Sequence, residues 1–270
     1  MFPWVDGFHW SPNHIIFLTL FAGVVLTIAS TIARAVWRTS ADFKTHRATE
    51  MCWQLNFKEL PEAERTCRHE LAGRVAHRTC PNAFDCRHCG QYAKFAALPA
   101  RGGALAGGVS FSNDLLYHRG HTWVRPEEDG TYTVGLDQLA DHMIGHPDSV
   151  QLPANGAGIE TNGVAWRMTK NGHEISVRAP MDGTVVATGG NDDGWYLRVR
   201  TTEPADLRHL LRGPEVAGWL AAELDRLQVQ FSSPDAPACM ADGGTLMPEL
   251  MDAMPAADWD AVLDATFLEG

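Results

Sequence analysis

The spacing of apolar and polar positions changes character several times along the chain. In HIIFLTLFAGVVLTIASTIARAVW no residue is charged from Ile15 to Ala33, enough helix to cross the hydrocarbon layer of a bilayer. Around ELPEAERTCRHELAGRVAH the pattern predicts a helix. From residue 114 short alternating stretches bounded by Gly, Pro and Asn predict strands. HTWVRPEEDGTYTVGL reads as a hairpin turning at Asp129-Gly130, and AWRMTKNGHEISVRAP as one turning at Asn171-Gly172. APMDGTVVATGGNDDGWYLRVR continues with turns at Asp182-Gly183 and Gly189-Gly190. Two helices interrupt. In LDQLADHMIG, Asp137 caps a face of Leu139, Met143 and Ile144. In GPEVAGWLAAELDRL, Pro214 suits the first turn, and Val216, Trp219, Leu220, Leu224 and Leu227 form a stripe. At this spacing Met143 and Trp219 are core residues.

These patterns divide the chain into five stretches: a transmembrane anchor (1–39), a Cys- and His-rich segment expected to bind metal (40–98), a Gly-rich linker (99–113), a strand-rich domain (114–231) and an acidic tail (232–270).

Charge sets the orientation. Residues 1–100 carry 11 Lys and Arg against 8 Asp and Glu, and the whole chain is at −11, so residues 101–270 sit near −14. No Lys or Arg occurs in 235–270. An acidic domain of this kind argues against nucleic acid as a partner. The leader MFPWVDGFHWSPNH lacks a cation, whereas Arg34, Arg38, Lys44 and Arg47 follow the span, and Trp4, Trp10 and Trp37 flank it. That is the pattern of a single-pass anchor in the inner membrane, N-terminus outside and residues 38–270 cytoplasmic, rather than of a cleaved signal.

A reducing compartment makes a Cys cluster a metal or redox site rather than a disulfide frame. Cys67, Cys80, Cys86 and Cys89 are spaced C-x12-C-x5-C-x2-C, and the closing C-x2-C lets two thiolates chelate one ion. The set suits structural zinc or an iron–sulfur cluster, and Cys86 with Cys89 also suits a redox dithiol. His69, His77 or His88 could replace one thiolate; Cys52, beside the membrane, is read as a plain core or interfacial thiol and Cys239 as an incidental one. Arg65, Arg68, Arg74, Arg78 and Arg87 either offset a tetrathiolate's charge or form a solvated face. His121 is read as a strand residue beside Trp123. No nucleophile–base spacing, phosphate loop or HExxH is present, so no catalytic residue is assigned and the protein is not expected to be an enzyme.

YHRGHTWVR, TVGLDQLADHMIGHPDSVQLPANG, APMDGTVV and GWYLRVR, in this order and spacing, resemble the H-protein of the glycine cleavage system. EPADLRHLLRGPEVAGWLAAE is similar to that family's C-terminal helical segment. The resemblance implies a biotinyl/lipoyl-like barrel-sandwich hybrid, mainly β with flanking helices, with one hairpin projecting. It also implies a lipoyl-lysine at the hairpin tip, preceded by an acidic and a small residue, that carries an aminomethyl group between partner enzymes. Counted back from Pro180, that lysine falls at Gly172, and Lys170 lies two residues earlier within RMTK, with no acidic neighbour before it. A type I′ turn at Asn171-Gly172 puts Lys170 on the strand flank. The expectation is an unmodified, solvated Lys170 and no lipoate: a membrane-anchored scaffold serving other subunits at the cytoplasmic face. The alternatives are a carrier lipoylated at Lys170 or an iron–sulfur electron-transfer subunit.

Overall fold

The structure is a computed structural model that describes residues 11–44, 47–100, 109–201, 204–231 and 248–268. Trp4, Trp10, Cys239 and most of the linker and of the first half of the acidic tail lie outside the described residues. The chain divides into two units, residues 1–48 and 49–270.

The first unit is helix α1 (Pro12–Lys44). Its part from Pro12 to Arg34 has mean hydropathy 2.4, long and apolar enough to cross a membrane. Ile15, Phe17, Leu20, Phe21, Leu26 and Ile32 are all exposed, the all-round apolar surface that lipid tolerates and water does not.

The boundary falls in the first turn of α2 (Arg47–Glu59), and the second unit continues with α3 (Arg68–Leu71) and α4 (Tyr92–Ala96). The expected helix around residues 59–77 is reduced to the four residues of α3. Cys67 is drawn into a ladder with Arg78 before it, and Gly73, at φ 65°, ends the turn after it. Two antiparallel sheets follow. The larger contains β1 (Leu116–Tyr117), β2 (Thr122–Pro126), β3 (Thr131–Leu136), β5 (Gly158–Ile159), β8 (Gly183–Gly190) and β9 (Trp195–Arg200), in the order β1-β2-β3-β9-β8-β5. The smaller is β4 (Ser149–Gln151), β6 (Val164–Lys170) and β7 (His173–Arg178). Between β3 and β4 lies α5 (Gln138–Ile144), and after β9 come α6 (Pro214–Phe231), α7 (Leu250–Ala253) and α8 (Trp259–Phe267). The curled antiparallel sheets with flanking helices are the expected fold class.

Local chemistry explains most of these elements. Asp137 accepts from Ala140 N at 2.9 Å and caps α5. The α6 stripe is buried as expected, and Met143 and Trp219 are in the core. Asn171 and Gly172 have φ 52° and 86°, and Lys170 pairs with His173, so the β6–β7 turn is the expected two-residue one. Gly189 and Gly190 do not turn. Both lie in β8, and the reversal falls on a 3-10 turn at Asn191–Asp193 closed by Gly194 at φ 69°. His121 is not in a strand either; it precedes β2 at φ 58°, fully buried, with Nδ1 2.8 Å from Asp137 Oδ2.

Two segments expected to stand apart pack onto this domain, one within its core and one with a small apolar cluster of its own. Leu250, Met251, Met254, Trp259, Val262, Leu263 and Phe267 are buried in the same cluster as the sheets. Residues 248–268, inside the expected acidic tail, therefore belong to the folded unit. The Cys-rich segment docks on α6, where Arg68 and Arg74 pair with buried Glu215. A Cβ at Gly218 would collide with the Leu71 carbonyl oxygen, so α6 has no side chain where α3 crosses it.

Candidate functional site

The β6–β7 hairpin is where the sequence places carrier chemistry; its turn residues Asn171 and Gly172 are exposed, but the lysine beside them is covered. Lys170 is 6 % exposed rather than solvated. Its Nζ donates to Asp252 Oδ2 at 2.7 Å and to the His146 carbonyl at 3.0 Å. The neighbouring Asn171 donates through Nδ2 to Asp252 Oδ1 at 2.9 Å, and its N–H donates to Asp148 Oδ2 at 2.7 Å. Hydrogen bonds from Lys170, then Asn171, hold the Asp252 carboxyl below its ordinary range. Farther along β7, His173 Nδ1 lies 2.6 Å from Asp260 Oδ1, and Arg178 donates to the Leu268 carbonyl at 2.8 Å. Thus α7 and α8 form a strap along the hairpin, anchored by apolar residues beneath and by carboxylates on the tip. The expectation of a solvated lysine fails because Asp252, a residue of the acidic stretch, supplies the counter-charge that lets a lysine be buried.

The cysteine segment is partly gathered. Cys67 and Cys80 are buried in a cluster with Trp53, Phe57, Ala83 and Phe84. Cys86 and Cys89 are half-buried and share a turn, Cys89 N–H donating to Cys86 O at 3.4 Å. Among the described residues no three His, Cys, Asp or Glu groups stand in positions that would hold a metal ion. Burial raises the Cys80 thiol, opposed by N–H bonds from Asn82 and Phe84. Burial raises Cys86 as well, opposed by Arg68.

The arginines form neither a solvated face nor a uniform charge cloud. Arg65 lies over Phe57 and Arg78 over Phe95, while Arg87 pairs with Asp85 at 3.0 Å. His69 packs between Tyr92 and Phe95, and burial, then Arg68, lowers its pKa to about 4. His77 and His88 have side chains 99 % and 80 % exposed. Three residues that sequence reasoning missed matter most: Asp252 at the hairpin, Glu215 on α6, and the buried Arg119. Each partner is remote along the chain, and Arg68 and Glu215 are 147 residues apart.

The glycine cleavage H-protein family model matches residues 115–222. The glycine cleavage system H protein of Neisseria meningitidis serogroup C (strain 053442) is 33 % identical over 120 residues, covering 39 % of this chain and 92 % of that protein. The chain belongs to the glycine cleavage H-protein family. The H protein of Edwardsiella ictaluri (strain 93-146) is 31 % identical over 122 residues, 40 % of this chain and 93 % of that protein. A crystal structure of a glycine cleavage system H protein from Mycobacterium marinum aligns with TM-score 0.36 and 23 % identity, over 41 % of this chain and 99 % of that one. The family is one of carriers, not catalysts. The matched residues of the H-protein domain include β6, β7 and α5. They exclude α1, the cysteine segment, α7 and α8.

Proposed function

We propose that this protein is a membrane-anchored H-protein scaffold that carries no lipoyl arm and serves other protein subunits at the cytoplasmic face of the inner membrane. The observation that supports this reading is the buried lysine beside the turn: Lys170, 6 % exposed, donates its ammonium hydrogens to Asp252 and the His146 carbonyl. A swinging arm needs a lysine displayed to solvent and to successive partners, since the gain from tethering vanishes when geometry forbids engagement. Gly172, at the position the family resemblance gives to the lysine, offers no amine. The uncharged helix followed by cations supports the anchor and its direction.

The test is the mass of the full chain purified from its native membrane, with sequencing of the peptide containing Lys170. The expected result is an unmodified lysine; a lipoyl increment on Lys170 overturns the scaffold reading in favour of a carrier. A single cysteine introduced at residue 200 of an otherwise Cys-free chain tests orientation: it should resist an impermeant reagent in intact cells and react after permeabilisation.

A further inference from the structure

Two helix stripes of different size face one cavity. On α2 and just past its end stand Trp53, Asn56, Phe57 and Leu60; on α8 and just past its end stand Ala261, Asp264, Ala265 and Leu268. Both sets follow the spacing i, i+3, i+4, i+7 of a single helix face. The other face of α8, with Trp259, Val262, Leu263 and Phe267, is committed to the core.

Trp53 and Phe57 are buried and held in place. The Trp53 indole N–H donates to the Ala83 carbonyl at 2.7 Å, and the Phe57 ring meets Phe84 edge-on at 5.0 Å. Opposite them, Ala261 and Ala265 offer only a methyl group each. The mismatch leaves a cavity of about 340 Å³, far larger than the voids of a closed core and within the size range of binding sites.

Carboxylates stand on both walls: Glu59 and Glu64 on one, Asp264 on the other. Among the described residues none of the three has an ion pair. The cations of this region are engaged elsewhere. Arg65 lies over the Phe57 ring, Arg226 donates through Nε to Glu223 at 3.0 Å, and Lys58 is outside the cavity lining. Burial raises the Glu64 carboxyl against the pull of Arg226, and burial, then Asp260 and Asp258, raises Asp264.

These features narrow the occupant. A small inorganic cation would neutralise a carboxylate and leave the aromatic floor uncovered. An uncharged apolar group would desolvate the carboxylates without pairing them. An apolar side chain with a cation on each side of it satisfies the floor and both walls, and neighbouring residues of a polypeptide supply that arrangement. Both walls lie outside residues 115–222, which match the H-protein family model, so the cavity belongs to the flanking segments.

We propose that this cavity is a docking site for a segment of a partner protein, in which a bulky apolar side chain seated between Trp53, Phe57 and the α8 alanines is flanked by Lys or Arg residues that pair with Glu64 and Asp264. The inference deepens the scaffold reading and rests on it for the existence of a protein partner. The two fail separately. A lipoyl group on Lys170 removes the scaffold reading and leaves peptide binding as it was; loss of peptide binding with Lys170 unmodified removes only the docking site.

The experiment titrates the full chain, in nanodiscs of zwitterionic phosphatidylcholine, with the probe peptide acetyl-Arg-Leu-Phe-Arg-amide while the methyl resonances of Ala261 and Ala265 are followed. Saturable shifts at both methyls are expected below about 5 mM, the affinity range of so small a contact. Raising salt from about 50 to 500 mM should weaken binding several-fold. Acetyl-Glu-Leu-Phe-Glu-amide should not bind, and acetyl-Arg-Ser-Ser-Arg-amide should bind at least about tenfold more weakly for want of apolar surface. Glu64→Gln and Asp264→Asn should each weaken binding about two- to fivefold. Ala261→Leu, which fills the cavity from an exposed helix position, should abolish the shift at Ala265. Absence of saturable shifts below about 5 mM overturns the site. Unchanged binding to Ala261→Leu overturns the cavity as the seat, and the Glu and Ser peptides on the unaltered chain decide the matter if that variant fails to fold. Salt-insensitive binding, or unchanged affinity in both carboxylate variants, overturns the charge pairing. Phenethylammonium binding as tightly as the peptide overturns the choice of a protein segment in favour of a small organic cation.

Discussion

Two hairpins of the H-protein domain, β2–β3 and β6–β7, meet opposite fates. The β2–β3 turn, with Asp129 donated to by Thr131 N at 3.0 Å and Gly130 at φ 76°, is satisfied within itself and faces solvent. The β6–β7 turn is satisfied from outside: Asp148 takes the N–H of Asn171, and Asp252 takes its amide and the Lys170 ammonium. Turn chemistry alone therefore does not decide whether a hairpin projects. What decides it is whether another segment has an apolar face to lay along the strand and a counter-charge to place at the tip.

The largest expected effect comes from removing that segment. Deleting residues 248–270 from the full chain exposes the surface under Leu250, Met251, Trp259, Val262, Leu263 and Phe267, a loss comparable with the whole stability of a domain. Chemical denaturation should show a fall of several kcal/mol, and hydrogen exchange should rise at 166–178 far more than at 123–136. Equal rises at both hairpins would break the comparison. Phe267→Ala, with its side chain fully buried on His121, should cost about 3–5 kcal/mol by the same assay.

Acid should separate the core from the strap. Burial, then His209, lowers His118 to about 3, and His69 lies at about 4. A histidine near 6.5 in the unfolded chain binds protons that the folded state refuses. Global stability should thus fall progressively as pH drops from about 6.5 towards 3. The Asp252 carboxyl, depressed by Lys170, works in a lower window. Its contribution is complete above its unfolded value of 3.8 and is lost only as pH falls through the lower folded value. Nuclear magnetic resonance titration should show the apex contacts intact at pH 5, where unfolding by denaturant is already easier.

Smaller effects refine the contrast. Lys170→Met should cost about 1–3 kcal/mol and speed exchange at Asn171, because a buried charged hydrogen bond is lost and the His146 carbonyl is left without its donor. The smallest change is a paired one. A Cβ at Gly130 or at Gly172 meets nothing within 4 Å, and both have positive φ. Gly→Ala at either should cost about 1 kcal/mol of backbone strain. A much larger cost at Gly172 would mean that the strap presses on the turn itself.

The sequence made the Asp129-Gly130 and Asn171-Gly172 turns, the Asp137 cap and the α6 stripe legible, because each depends on neighbours within a few residues, whereas Gly189-Gly190 lies in a strand. The strap was hidden by its composition. DWDAVLDATF carries a helical face of Trp259, Val262, Leu263 and Phe267 behind an Asp258 cap, but in a stretch without Lys or Arg it looks like solvated tail. Lys170 was misjudged for the same reason: burying it needs Asp252, a partner 82 residues away. The helix expected around 59–77 yielded to tertiary structure, since Cys67 and Cys80 bond across a ladder and Arg68 turns inward to Glu215. Periodicity reports faces, not the partners that claim them.

Chain order gives the strap a further consequence, one of timing. Asn171 and Asp252 are 81 residues apart. At synthesis rates of about 5–20 residues per second, the hairpin leaves the ribosome roughly 4–16 s before the carboxylate that closes it. During those seconds Lys170 has no Asp252, and β7 has no helix along it. Any modifying enzyme that meets the nascent chain sees an open lysine, whereas one that meets the finished protein sees a closed one. Access to this amine is set by when the chain is met as well as by where the residue lies.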